Sequence, residues 1–479
     1  MSASKVSSSA EPSAHSRRRW LTLGFLALAQ FLVVLDASIV NIALPVIGSE
    51  LHMDSARLAW VITAYVLPFG GFLLLGGRLA DRFGHRRLFL TGTLGFVLAS
   101  ALAGFSVSSG MLIIARALQG ASAALLAPAA LALLTQLFTL PSERARALGV
   151  WGGVAGIGSA AGVLLGGILT ASFGWSSVFF VNVPIGVVVI VAVLFLLTAD
   201  TAVESNRLDL PGAATITGAL IAAVSALSAW EQVGPGHPLT LILAAATGAL
   251  ILGSIIVERR AAQPLIPLRV FRNRSLTVGN IVMLLLGAAM MALFFALSVY
   301  MQSVLGYSAL TAGLTQLPLA AALIAIASAA PAAITRFGSR STLIAFLLTL
   351  ASGLTWLAFA PSDAAFVSQI LGPTLLIGVG MGGAFVTTTQ LAVEGVPGGE
   401  AGLAGGLVNT SQQIGGALGL AVLSTVAATR TSALVDRGVG QPEALTSGFS
   451  WLFIGAAIFA LGGVVAASFA HSHSAGSES

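Results

Sequence analysis

Arg82-Phe83-Gly84-His85-Arg86 and, 254 residues later, Arg336-Phe337-Gly338-Ser339-Arg340 are two short basic turns built on one pattern. Each follows an apolar run of about twenty residues, the length that crosses a bilayer core. Working outward from them, apolar runs divided by polar or Gly/Pro breaks predict helices over 20–47, 58–77, 88–107, 110–138, 145–171, 176–198 and 212–230. The series continues with 238–257, 276–302, 310–335, 341–360, 364–393, 403–428 and 448–470. The first turn follows the second helix and its echo follows the tenth. If the seventh and eighth are set aside, the tenth becomes the second helix of a second set of six. The expectation is an all-α polytopic membrane protein of 14 transmembrane helices, with two six-helix bundles and two inserted central helices. Its parts are a tail at 1–19, bundles at 20–198 and 276–470, a linker at 199–275 with extra helices near 212–230 and 238–257, and a tail at 471–479. Such halves form a parallel repeat about an axis along the membrane normal, an arrangement suited to alternating access.

Composition agrees. The chain has 479 residues, 57% hydrophobic and 8% charged, against about 25% charged in a soluble domain, and its mean hydropathy is +0.97. This excludes soluble enzymes, nucleic-acid-binding modules and disordered tails, and the runs are too long for the strands of a membrane barrel. Cytoplasmic loops are enriched in Lys and Arg. With the N-terminus inside, 18 of the 22 basic residues fall on the cytoplasmic side, Arg57, Arg430 and Arg437 fall outside, and Arg116 stays within a helix. Both termini are thus expected in the cytoplasm, and the basic balance reflects topology and inner-leaflet lipid rather than nucleic acid. A competing reading takes Ser16-Arg17-Arg18-Arg19-Trp20-Leu21 with Ala27-Leu28-Ala29 as a cleavable export signal, which would remove half of the first helix.

Several chemistries are missing. There is no Cys, and Lys5 is the single lysine, so thiol chemistry and a phosphate-binding P-loop are excluded. His15, His52, His85, His237, His471 and His473 lie in tails or between apolar runs, so no metal, haem or other cofactor is expected. Two ionisable residues remain inside the spans, where such groups are functional by default. Asp36 lies in Val33-Val34-Leu35-Asp36-Ala37-Ser38-Ile39-Val40-Asn41 of the first helix, and Arg116 lies in the fourth. At about 1.5 Å per residue, Asp36 sits roughly 16 Å and Arg116 roughly 9 Å from the outer ends of their helices, within reach of a long Arg side chain. Isolated in low dielectric, a carboxyl favours its protonated form. Asp36 therefore reads either as a proton-responsive site tuned by Arg116 or as half of a static buried pair. Asn409, Gln412 and Gln413 follow i, i+3, i+4 spacing on the thirteenth helix, and Gln119 lies one turn from Arg116. Together with Asn41, Asn182 and Gln390 they line a substrate cavity or hydrogen-bond between helices. Glu231, Glu394, Glu400 and Asp363 fall at helix ends or in loops, where they are solvated.

Over most of 20–430 these residues resemble the major facilitator superfamily, specifically its fourteen-helix drug:proton antiporters. Gly77-Arg78-Leu79-Ala80-Asp81-Arg82-Phe83-Gly84-His85-Arg86-Arg87 is similar to the superfamily's loop 2–3 signature, with His85 in place of the usual Arg. The resemblance implies a cytoplasmic gate in which Gly77, Asp81, Arg82, Gly84, Arg86 and Arg87 hold the inward face closed. Asp36 through Pro45 resembles the first-helix motif, and Arg116-Ala117-Leu118-Gln119-Gly120 resembles a fourth-helix motif whose Arg takes part in proton transfer. Phe179 to Gly186, Tyr300-Met301-Gln302 and Gly405 to Thr410 also resemble that branch. In the fifth helix Gly158, Gly162, Gly166 and Gly167 fit the antiporter motif, but Val163 stands where Pro is usual, which should straighten the helix.

The function expected is a monomeric multi-pass transporter of the cytoplasmic membrane. It would export hydrophobic or amphipathic small molecules, neutral or monovalent cationic, in exchange for protons. A metabolite symporter or facilitator of the same superfamily is the rival reading, and a channel or intramembrane enzyme is a more distant one. The sequence does not separate natural-product self-resistance from general multidrug export.

Overall fold

The computed structural model describes residues 14–53, 55–197, 210–261, 272–394 and 401–470, and every regular element among them is helical. Most of the expected tails, with Lys5, His471 and His473, lie outside the described residues, as do 198–209, 262–271 and Glu400. The first half contains α1 (Ala14–Glu50), α2 (Ser55–Phe83), α3 (His85–Gly104), α4 (Ser109–Leu137), α5 (Pro141–Phe173) and α6 (Ser177–Leu196). Next come α7 (Leu210–Val233) and α8 (Pro238–Arg260). The second half contains α9 (Arg274–Val304), α10 (Ala309–Phe337), α11 (Ser339–Leu357), α12 (Phe366–Val393), α13 (Ala401–Val435) and α14 (Gln441–Ser468).

Thirteen helices are long and apolar enough, among the described residues, to cross a membrane. The remaining one, α5, is 33 residues long, with its described apolar stretch at Ala160–Phe173. Boundaries differ most near the C-terminus. There α14 starts at Gln441 rather than 448, because Pro442 in the first turn and Glu443 near the positive end favour initiation. Upstream, α13 continues to Val435, its polar final turns held by Thr431 bonding the Ala427 carbonyl and Arg430 bonding Ser447.

Helix packing repeats between the halves. In the first, α1 packs on α5 and α6, α2 on α4, and α3 on α4 and α6; in the second, α9 packs on α13 and α14, α10 on α12, and α11 on α12 and α14. Glycine makes the closest approaches, since apolar helices in lipid associate through packing rather than hydrophobic force. A Cβ at Gly120 of α4 would strike the Tyr65 carbonyl of α2, and one at Gly378 of α12 would meet the Leu319 carbonyl of α10 at 2.5 Å. Tyr65 and Leu319 are again 254 residues apart. The two basic turns also share their backbone: Gly84 and Gly338 have φ of 99° and 78° and lie between abutting helices. Only glycine adopts such angles without strain, which explains why the Gly recurs.

The halves meet along two seams, α2 with α13 and α5 with α10. The inserted helix α7 lies against both α2 and α13, and α8 packs on α7. Below, the end carrying the α2–α3 and α10–α11 turns is termed the basic end. At the opposite end α9 reaches across to α1, where Ser298 Oγ donates to the Asn41 carbonyl at 2.5 Å and Gln302 Nε2 donates to the Ile42 carbonyl at 3.0 Å. Replacing Gly84 with Ala should lower stability by about 1–3 kcal/mol, read as a fall in melting temperature in detergent. An unchanged melting temperature would show that the turn relaxes freely.

Candidate functional site

Asp36 and Arg116 do meet. Arg116 Nη1 donates to Asp36 Oδ2 at 2.5 Å, and the two side chains are 1% and 0% exposed. They are not alone. Gln119 Nε2 donates to Asp36 Oδ1 at 2.7 Å, and Asn182 Nδ2 donates to the same oxygen at 2.8 Å. Gln119 Oε1 in turn accepts from Arg116 at 2.7 Å, while Arg116 Nε donates to the Val61 carbonyl at 3.0 Å. Ser100 Oγ accepts from Gln119 and Asn182 at 3.2 and 3.0 Å and donates to the Phe179 carbonyl at 2.9 Å. The guanidinium also sits 4.3 Å from the Tyr65 ring centroid and 5.8 Å from that of Phe179, geometry in which the ring faces attract a cation. Asp36 thus accepts three hydrogen bonds and faces a cation.

Local sequence explains how five helices deliver these groups. Gln119 and Arg116 are three apart and share one face of α4, and Gly120 beside them lets α2 approach closely enough to offer the Val61 carbonyl. The regular course of α6 is interrupted at Val181, just before Pro184, which has no N–H to give. Asn182 sits at this interruption, its amide directed at Asp36. On α5, Gly158, Gly162 and Gly166 let α1 come close: a Cβ at Gly162 would lie 3.0 Å from the Leu35 carbonyl and 2.6 Å from Ser38 Cβ. Gly167 faces the other half instead, 2.8 Å from the Ala309 carbonyl of α10 by the same measure. With Val163 in place of Pro, α5 runs unbroken, and Val163 is buried with Ile42 and Ala309.

The remaining expected residues lie elsewhere. Asn41 is on α1 but outside this cluster: its Nδ2 bonds the Ala37 carbonyl, and its buried Oδ1 has no partner. Asn409, Gln412 and Gln413 are half-buried on α13, with Gln413 against Gly70 of α2 and the Gln412 backbone against Gly287 of α9. Gln390 is exposed near the basic end of α12. In the α2–α3 turn, His85 Nε2 lies 3.2 Å from Asp81 Oδ1, and His85 Nδ1 lies 3.3 Å from Gln136 Nε2 of α4. Arg86 donates to the Leu194 carbonyl, and Arg18 donates to the Phe195 and Leu196 carbonyls, so both cap the negative end of α6. Arg82 lies over the Phe83 ring, Arg87 is exposed and Gly77 is in loose contact with Pro128. These contacts tie the turn to α4 and to the end of α6.

Sequence reasoning missed three residues. Ser100 and Tyr65 gave no motif, although Tyr65 is one of only three tyrosines and its buried hydroxyl has no partner. Gln316 on α10 is 1% exposed, and neither its Oε1 nor its Nε2 is bonded; a glutamine amid an apolar run was the available signal. The second half has no counterpart to the charged cluster. Leu319, Leu354, Thr374 and Ile377 occupy the positions matching Tyr65, Ser100, Arg116 and Gln119, and all four are buried.

Comparison with known proteins agrees with this architecture. A family model described as Major Facilitator Superfamily matches residues 26–420. The chain is 41% identical over 450 residues to a puromycin resistance protein of Streptomyces alboniger, covering 93% of this chain and 89% of that one. It is 41% identical over 441 residues to a cephamycin export protein of Amycolatopsis lactamdurans, covering 90% and 88%. Among solved structures, an auto-inhibited POT family peptide transporter superposes with a TM-score of 0.66, covering 94% of this chain and 97% of that one. Its identity is 19%, a likeness of fold.

Removing one partner of a buried ion pair costs about 3–5 kcal/mol, whereas replacing both with apolar groups costs far less. Arg116→Met and Asp36→Leu should therefore each lower the melting temperature in detergent, and the double variant should recover most of the loss; additive losses would refute the coupling. Because leaving a buried amide unpaired is costly, Gln316→Leu should leave the melting temperature unchanged or raise it. A clear fall would mean that the amide is bonded.

Proposed function

The chain belongs to the major facilitator superfamily, and from that premise we propose that it is a proton-coupled antiporter. On this reading it exports hydrophobic or amphipathic drugs or antibiotics across the cytoplasmic membrane by alternating access. The names of its relatives, a puromycin resistance protein and a cephamycin exporter, support the substrate class. The observation that carries the coupling is Asp36, a mid-span carboxylate held by Arg116, Gln119 and Asn182.

The topology that goes with this reading has fourteen spans, α5 included, and both termini and the basic end in the cytoplasm, as the distribution of arginines favours. The halves are 20–198 and 276–470, the linker 199–275 carries the inserted pair, and one chain works alone.

The proposed coupling runs through α1 and α5. Protonating Asp36 removes the charge that pairs with Arg116 and cancels acceptor capacity used by Gln119 and Asn182, so α1 loses its strongest tie to α4 and α6. Since α1 rests on Gly158, Gly162 and Gly166, its displacement is passed to α5. The neighbouring residues Val163 and Gly167 bear on Gly313, Ala309 and Leu310 of α10, in the other half. One helix thereby connects the titrating site to the seam that must open and close. Arg116 supplies the compensating charge, and the unpaired polar atoms of Asn41 and Gln316 are available to substrate.

In proteoliposomes with an imposed proton gradient, the unaltered protein should couple drug movement to opposite proton movement, and Asp36→Asn should abolish drug-dependent proton flux. Full coupled flux in Asp36→Asn would sink the assignment, and flux in the same direction would establish symport.

A further inference from the structure

Asn182 uses only one end of its amide. Its Nδ2 donates to Asp36 Oδ1 at 2.8 Å and to Ser100 Oγ at 3.0 Å, while its Oδ1 is buried without a hydrogen-bond partner. The residue is fully buried, and an unmet acceptor in such a place is costly. Facing an ionised Asp36, the amide has no other choice. A carboxylate only accepts hydrogen bonds, so the NH2 must face it and the oxygen must point away.

A proton on Asp36 reverses that requirement. Asp36 Oδ2 faces the Arg116 guanidinium, which only donates, so the proton belongs on Oδ1. There it would point at two amide NH2 groups, those of Gln119 and Asn182, and one of them must present its oxygen instead. Gln119 is already committed. Its Oε1 accepts from Arg116 Nη1 at 2.7 Å, and turning it would set an NH2 against the guanidinium. Asn182 has no such bond on its oxygen, and the terminal torsion of an Asn amide is broad and roughly two-fold. A half-turn brings its Oδ1 to the place that faces Asp36 and Ser100. The Ser100 hydroxyl, which donates to the Phe179 carbonyl, can swing to the incoming oxygen. Nδ2 takes the place that Oδ1 leaves, so one unmet group replaces another and the opposition of two donors is removed.

Few other groups compete for the proton. Apart from Asp36 itself, α2 and α4 bring Tyr65 and Arg116 to the cluster. Leu88–Gly104 of α3, Ala147–Phe173 of α5, Ser177–Leu196 of α6 and Ala309–Thr335 of α10 contain no acidic, basic or tyrosine residue. From α9 comes Tyr300, whose hydroxyl donates to the Pro361 carbonyl.

We propose that Asn182 follows the proton: its side-chain amide makes a half-turn when Asp36 is protonated, so that Asn182 Oδ1 accepts the new Asp36 O–H. A single covalent bond forms, between the incoming proton and Asp36 Oδ1. Asn182 passes on no proton, and Arg116 keeps its charge. The inference rests on the antiport reading, which supplies the proton. Its consequence is directional. Toward α6, α1 exchanges a charge-assisted hydrogen bond for a weaker neutral one and stays attached, whereas toward α4 it loses the charge pairing altogether. α1 is thereby released from α4 while it remains tied to α6 beside the interruption at Val181.

Asn182 is one of six asparagines, few enough for a labelled spectrum to be assigned. Infrared difference spectra between high and low pH are recorded on purified protein carrying 13C at the asparagine side-chain carbonyls, with Asn182→Ser to identify the band. As the protonated-carboxyl band of Asp36 grows, the Asn182 carbonyl band should move to lower wavenumber, because an unbonded oxygen becomes bonded. The move should be absent from Asp36→Asn. An Asp36 band that grows while the Asn182 band stands still would overturn the proposal. The lack of an Asp36 band at any pH would instead remove the antiport reading, and the half-turn with it. In a second arm, Asn182→Leu in proteoliposomes should cut rhodamine-dependent proton flux about tenfold, the effect of one buried hydrogen bond. Flux within about twofold of the unaltered protein would contradict the half-turn. If Asn182→Leu does not fold, or if rhodamine drives no proton flux in the unaltered protein, the spectra of the unaltered protein and of Asp36→Asn still decide.

Discussion

A carboxylate and a guanidinium at the depth of the hydrocarbon core are tolerable only together, and only if their remaining hydrogen-bonding capacity is met. The first half of this protein is arranged around that requirement. Four helices besides α1 contribute: α4 brings Arg116 and Gln119, α6 brings Asn182, α3 brings Ser100 and α2 brings the Val61 carbonyl and the Tyr65 ring. To reach one point from five helices, the backbones must nearly touch. Hence Gly120 lies against Tyr65, and Gly162 lies against Leu35 beside the carboxylate itself.

The duplication makes the specialisation visible. Both halves repeat the same packing and the same positive-φ glycine in the basic turn, yet among the described residues only the first carries a buried ion pair. Matching positions in the second half hold Leu319, Leu354, Thr374 and Ile377. The fold therefore does not need the ion pair, since its twin stands without one. A feature that is costly, asymmetric and dispensable for packing is best explained by work done in transport. The second half instead contributes Gln316, whose amide is buried without a partner and is a candidate for contact with cargo.

Much of this was legible in advance. Long apolar runs leave no alternative to membrane helices, and the echo of Arg82–Arg86 in Arg336–Arg340 placed the repeat. The pairing of Asp36 with Arg116 followed from counting residues along two helices. What escaped was lateral detail. Nothing in the sequence distinguishes Ser100 from the other hydroxyls of α3, because its role depends on the rotation of α3 about its axis. Asn182 was recognised as polar, but its aim at Asp36 depends on the interruption at Val181. Gly153 and Gly167 look alike in sequence, yet a Cβ at the first would meet nothing within 4 Å and one at the second would meet the Ala309 carbonyl. The contact of Asp81 with His85 within its own turn was not foreseen either, because it depends on how the turn folds back on itself.

The account stands on Asp36 changing its protonation during the cycle. Infrared difference spectroscopy on purified protein, with Asp36→Asn to assign the band, observes that carboxyl directly. The account predicts a protonated-carboxyl band of Asp36 that grows as pH is lowered and vanishes when an exported antibiotic is added. A carboxylate that stays ionised at every pH, with and without antibiotic, would reduce the Asp36–Arg116 pair to a structural tie and contradict the central claim.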